Sequence, residues 1–159
     1  MAQHARELLI DTFAHIPPRH AVDALSPEDA ERKLDGVPHS IAEIVAHMVF
    51  WMEWFTKRCS GTPEPIVEKA APGWPAVERG SWPALQKRFL GGLERLAAIG
   101  DAGSDKLVEP AIDFPPLAHL TVRGAIAHVS THNAHHLGQV ITLRQLMGKW
   151  PPPSGAFTW

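Results

Sequence analysis

The sequence predicts an all-α protein, a four-helix bundle with long crossover loops, and three observations carry that prediction. Four segments repeat apolar residues at three- and four-residue spacing. Helix-start signals precede several of them, and almost no stretch alternates like a strand. At 159 residues the chain is sized for a single domain over residues 1–159, with length enough to enclose a core.

The first helix is expected from about Ala2 to Ile16, with Leu8, Leu9, Phe13 and Ile16 on one face, and Pro17 and Pro18 stop it. A short helical turn follows at Ser26–Leu34, where Ser26 caps, Pro27 takes the first helical position and Glu28 and Asp29 favour the helix dipole. The second long helix starts at Ser40, because Ser40-Ile41-Ala42-Glu43 is a capping box. Ile41, Ile44, Val45, Met48, Trp51, Met52 and Phe55 then form a wide stripe down to about Cys59.

Gly61 to Gly80 reads as a long loop, of the kind that often shapes the mouth of a site. The third helix begins at Ser81, with Pro83 in its first turn, and turns Leu85, Phe89, Leu93 and Leu96 inward before Gly100. Asp101–Pro116 is polar and proline-bearing, a loop or at most a strand-like excursion. The fourth helix runs from about Thr121 to Met147 and ends at Gly148, with Pro151, Pro152 and Pro153 beyond. The absence of a solenoid-length repeat leaves one bundle, whose long second and third connections permit crossovers.

Composition excludes several classes of function. The chain is 45% hydrophobic and 20% charged, with a formal charge of −2 and no basic run, so binding to nucleic acid through a cationic face is not expected. Cys59 is the only cysteine, which rules out an intrachain disulfide and a multi-thiolate zinc knuckle. The charged N-terminal stretch lacks the form of a signal peptide, and no apolar run is long enough to span a bilayer. A cytoplasmic protein without membrane partners is the expectation.

Histidine is the unusual residue: there are ten, and no tyrosine. His132 and His136 are separated by four residues, about 40° of helical rotation and about 6 Å of rise, so their rings share a face and can converge on one metal ion. His128 extends the ladder, but lies about 12 Å along the axis from residue 136, and His135 points about 100° away. A third ligand is therefore expected from another helix. His47 is the best candidate, since Ile44, His47, Trp51 and Trp54 follow steps of three, four and three along the inner side of helix two. A buried polar group in that row needs a partner. His4, His15, His20, His39 and His119 fall near helix ends or loops and look less constrained. A histidine on an apolar face is also a common hydrogen-bonded core group, so a metal-free histidine cluster is the plain alternative.

Ser40 to His47 resembles the helix that supplies the first metal ligand in the DinB-like (DinB/YfiT) family. His128-Val129-Ser130-Thr131-His132-Asn133-Ala134-His135-His136-Leu137-Gly138-Gln139 resembles that family's HxxxHxGQ helix, and Arg144-Gln145-Leu146 before Gly148 and the prolines fits its usual ending. The resemblance implies a DinB/YfiT-like four-helix bundle, commonly a homodimer, with His47, His132 and His136 around zinc, nickel or a similar ion. It also implies two kinds of chemistry, since relatives include mycothiol- or bacillithiol-dependent transferases and isomerases and others described as metal-dependent hydrolases.

Three neutral imidazoles leave a divalent ion its full charge and room for water or substrate, an arrangement suited to hydrolysis or thiol transfer. Zinc and nickel are the first expectations, with iron, manganese and copper next. The partners are then a small-molecule substrate and a low-molecular-weight thiol, and the alternative function is a non-catalytic metal-binding or metal-sensing module. Glu43 and Gln139 are candidates to accept a ligand's remaining ring N–H, the plain alternatives being the capping-box role that already explains Glu43 and polar helix surface for Gln139. Gly138 is read as a point of close approach or simply a tolerated small residue. Trp51, Trp54, Phe50 and Phe55 are candidates for an apolar substrate pocket, or plain core. Cys59, next to Lys57 and Arg58, is read as an inert thiol.

Overall fold

A computed structural model of the chain describes residues 3–11, 15–67, 69–103 and 105–155, with side chains from Ala5 onward. Ala2 and Phe13, both placed in the expected first helix, and the His4 side chain lie outside the described residues. Six helices follow in order: α1 (Gln3–Leu9), α2 (Pro18–Val22), α3 (Pro27–Glu31), α4 (Ile41–Cys59), α5 (Trp82–Gly103) and α6 (Val122–Leu146). Among the described residues there is no strand, and the excursion between α5 and α6 amounts to one isolated bridge between Leu107 and Thr121.

Helix α1 stops well before the expected end at Ile16. At its end the Leu8 carbonyl accepts from Ser130 Oγ at 2.7 Å and lies 3.1 Å from His15 Nε2. A side chain from α6 and one from the following segment therefore satisfy the helix end. The two prolines that were expected only to stop a helix also start one, with Pro18 in the first turn of α2. In α3 the Ser26 cap is present, its Oγ accepting from Asp29 N at 3.1 Å.

Both halves of the capping box at α4 are made: Ser40 Oγ accepts from Glu43 N at 3.2 Å, and Glu43 Oε2 accepts from Ser40 N at 2.7 Å. Helix α5 is capped by a residue distant in sequence. The Glu31 carboxylate accepts from Gly80 N and Trp82 N, at 2.9 and 3.2 Å. The helix continues past its expected end at Gly100, because that glycine is a contact point and not a terminator. A Cβ there would lie 2.7 Å from Ala5 Cβ and 2.3 Å from Ile126 Cδ1, so its absence lets α1 and α6 close on α5. Helix α6 begins with Thr121 Oγ1 accepting from Gly124 N at 3.1 Å, and Gly148 takes a φ of +67° just past its end.

α4 packs on α5 and α6, and α1 packs on the same two helices from the other side. The fourth element is thus much shorter than an even bundle requires, with α2 and α3 filling in. The buried residues of all these helices join in one hydrophobic cluster, which includes Met48, Phe55, Phe89, Leu96, Ile126 and Leu137. No described helix is long and apolar enough to cross a membrane.

Candidate metal centre

The packing of α4 against α6 brings His47, His132 and His136 together. One ring nitrogen from each lies within 4.8 Å of the others. Ring centroids stand 5.0 Å apart for His47 and His132, 4.7 Å for His47 and His136, and 4.5 Å for His132 and His136. Among the described residues this is the group of three or more ligand-type side chains that could hold an ion.

Hydrogen bonds at the outer ring nitrogens set which nitrogen of the His47 and His136 rings faces inward. His47 Nδ1–H donates to the Gly73 carbonyl at 2.6 Å, and His136 Nδ1–H donates to Gln139 Oε1 at 2.7 Å. That leaves Nε2 of both rings as the lone-pair nitrogen. His132 Nε2 stands 3.1 Å from His47 Nε2. Two imidazole nitrogens held about 2.0–2.1 Å from one ion, at angles of about 95–110°, stand about 3.0–3.4 Å apart. The donor set and this spacing fit a divalent cation. In the metal-free protein His132 carries the proton between the two nitrogens, since the His47 proton is committed to Gly73.

Burial keeps the cluster uncharged. His47 and His136 are only 8% and 6% exposed. Desolvation lowers the pKa of both, partly offset by the Gly73 carbonyl in one case and Gln139 in the other. His132 is pushed down to about 4, first by burial and then by the neighbouring His136 and His47 rings. All three are therefore neutral at pH 7, the form that binds metal.

A pH dependence follows, with a definite sign. Below about pH 6.5 the unfolded chain takes up protons that the folded cluster refuses, so the stability present above that value is lost as pH falls toward 4. With solvent screening counted, His132 accounts for on the order of 1 kcal/mol of this loss between pH 7 and 5. Thermal melts of metal-free protein should show that decline, and His132→Gln should flatten it.

Several residues at the site were not legible in the sequence. Trp74, from the loop between α4 and α5, is sandwiched between His39 at 3.8 Å and His47 at 3.9 Å, each ring within 9° of parallel. Its edge approaches the His136 ring at 5.9 Å. The same loop supplies the Gly73 carbonyl, and Gly73 itself lies against Trp51, where a Cβ would be 3.2 Å from the indole nitrogen. Signals for this were present only in general form, as a long loop expected to shape a site.

Gln139 takes the expected place beside a ligand, and its amide also lies 3.3 Å from His135 Nε2. Glu43 does not reach a ligand. Its carboxylate is held by the capping box and faces Lys33 at 3.9 Å and His39 at 3.8 Å. His128 packs beside Phe55 at 5.1 Å, and neither it nor His135 joins the cluster. Open space lies beside Gly138, so no close approach among the described residues explains it.

The expected aromatic pocket is dispersed. Trp54 is buried with its Nε1 donating to Pro65 O at 2.9 Å, Phe55 is core, and Phe50 lines a separate cavity of about 350 Å³ with Glu53 and Arg88. Of the four, only Trp51 borders the metal centre's surroundings, through Gly73. Burial pushes the Cys59 thiol up to about 11, which suits an inert residue. His15 and His20 are more constrained than their loop positions suggest. His15 sits between the Leu8 and Ile16 carbonyls, and His20 is buried with Nδ1 2.8 Å from Ser154 Oγ.

Searches of curated proteins and of solved structures found no match. A sequence model of the DinB superfamily matches residues 19–140, most of the chain and all three clustered histidines. Its all-helical fold and histidine cluster agree with that match, and the chain belongs to the DinB superfamily.

Proposed function

We propose that His47, His132 and His136 hold one divalent metal ion, zinc or nickel before iron, manganese or copper, and that the protein acts on a small molecule as a hydrolase or thiol-dependent S-transferase. The observation that carries this reading is the convergence of three neutral imidazoles, two of them with their outer protons already engaged. When bound, a divalent ion supplies Lewis-acid polarisation and lowers the pKa of a water or thiol ligand.

The protein's own residues do the rest. Gly73 O and Gln139 Oε1 keep the protons of His47 and His136 at Nδ1, so both rings offer Nε2 without rearrangement. Trp74 covers one face of His47 and fixes the plane of that ring. The low exposure of His47 and His136 limits competition from bulk water.

The test is the visible spectrum of cobalt-loaded protein, titrated with a small thiol and followed by turnover assays on thiol conjugates, esters and amides. A spectral shift with added thiol, and turnover that is lost in His132→Ala, are expected. A spectrum that ignores added ligands, together with no turnover, contradicts the catalytic reading.

The Trp74 stack favours a second reading, a metal-binding or metal-sensing module whose ion is sealed from ligands. That reading predicts the unresponsive spectrum and a large fall in melting temperature on chelation. A homodimer and a low-molecular-weight thiol partner belong to the first reading by family resemblance, a cytoplasmic setting is proposed alongside them, and sedimentation of the loaded protein against the 17.5 kDa chain mass tests the dimer.

A further inference from the structure

Asn133 is an anomaly in the core of α6. It is 2% exposed, and neither its carbonyl oxygen nor its amide nitrogen makes a hydrogen bond. Its helix neighbours Val129, Ser130, His136 and Leu137 are all buried, and Ser130 is satisfied through the Leu8 carbonyl. A buried amide without partners costs free energy that an apolar residue of the same size would not.

The metal centre has a matching gap. His47 and His136 each have an acceptor at Nδ1, Gly73 O and Gln139 Oε1. His132 has none there among the described residues, its hydrogen-bonding contact being the one from Nε2 to His47. Asn133 follows His132 directly in α6, and its side-chain oxygen is a buried acceptor that lacks a donor.

We infer that Asn133 is a positioning residue for His132: its side-chain oxygen accepts the His132 Nδ1–H and turns Nε2 toward His47 and His136. The inference rests on the metal-binding reading above. In the metal-free protein the His132 proton lies on Nε2, toward His47. Ligation moves it to Nδ1, and a small rotation of either side chain closes the bond to Asn133. Each of the three ligands then has its own acceptor, supplied by a loop carbonyl, an exposed glutamine and a buried asparagine.

The experiment compares Asn133→Leu and Asn133→Asp with the unsubstituted protein, measuring zinc affinity by competition titration, the melting temperature without metal, and the downfield imidazole N–H signals of the zinc-loaded protein. Asn133→Leu is expected to melt at the same temperature or higher without metal, because the unpaired amide is gone. It should bind zinc about 10- to 100-fold more weakly and lose a slowly exchanging His132 N–H signal. Asn133→Asp, which keeps an acceptor, should retain or increase zinc affinity.

Unchanged zinc affinity in folded Asn133→Leu overturns the inference. So does an affinity in Asn133→Asp that falls by more than tenfold, which also decides the matter if the leucine variant does not fold. Failure of the unsubstituted protein to bind zinc, nickel or cobalt overturns the metal reading itself, a result distinct from both.

Discussion

His132→Ala is expected to weaken divalent-metal binding by on the order of 100- to 1000-fold while the protein still folds cooperatively. The ring is only half-buried and makes its contacts within the cluster, to His47 Nε2 at 3.1 Å and to the His136 ring at 4.5 Å between centroids. Its loss therefore removes a donor without opening the core. Protein metal sites with a full ligand set bind with about 10–16 kcal/mol, so one ligand of three carries several kcal/mol. Titration with zinc, against a melting curve of the metal-free variant, separates the two effects. A variant with unchanged affinity would mean that the ion, if any, is held elsewhere.

The largest expected loss of stability lies far from that cluster. Arg144, 1% exposed, lies in α6 and makes no ion pair at contact distance among the described residues. Its guanidinium donates to the carbonyls of His20, Ala21 and Asp23, at 3.3, 2.8 and 2.8 Å, and Nε donates to Lys149 O at 3.0 Å. Its face lies 5.6 Å from the Trp150 ring. One side chain thus closes the end of α2 and joins it to the end of α6, where backbone acceptors have no helical partner.

Arg144→Met keeps volume but takes the donor from two buried carbonyls, His20 and Ala21, and two part-buried ones, Asp23 and Lys149, and should cost about 3–5 kcal/mol, roughly 10–15 °C in melting temperature. Arg144→Lys should recover part of the loss, because the carbonyls of His20, Ala21 and Asp23 all converge on Nη1, where an ammonium can donate, while the Lys149 carbonyl held by Nε loses its donor. Zinc affinity of whatever fraction remains folded should be unaffected, which distinguishes this role from that of His132. A loss under about 1 kcal/mol would show that water serves the carbonyls equally well.

The parts of this molecule that could be read from its sequence are those written in short-range patterns. The capping box at Ser40, the Thr121 start and Gly148 end of α6, and the i, i+4 pair His132 and His136 each depend on residues a turn apart. His47 was legible because a histidine in an apolar helical row needs an explanation. All three histidines meet where that pattern places them.

What escaped depends on partners distant in the chain. The Gly73 carbonyl that orients His47 belongs to the backbone and has no residue signature. Trp74 is one aromatic in a loop until the fold places it between His39 and His47. The end of α1 is met by Ser130, more than a hundred residues away, which donates to the Leu8 carbonyl. Gly100 looks like a helix stop in sequence, and becomes a packing notch only when Ala5 and Ile126 arrive beside it. Glu43 illustrates the converse: the local capping role that the sequence specifies leaves its carboxylate committed and out of reach of the ligands.

Metal analysis of protein made without a polyhistidine tag tests the central claim most directly. The sample is incubated with zinc or nickel, dialysed, and measured beside His132→Ala prepared in the same way. About one equivalent of divalent metal per chain, absent or strongly reduced in the variant, is the predicted result. Protein that retains no metal after loading, or that retains it equally in the variant, would contradict the account and leave the three histidines as a hydrogen-bonded cluster in the core.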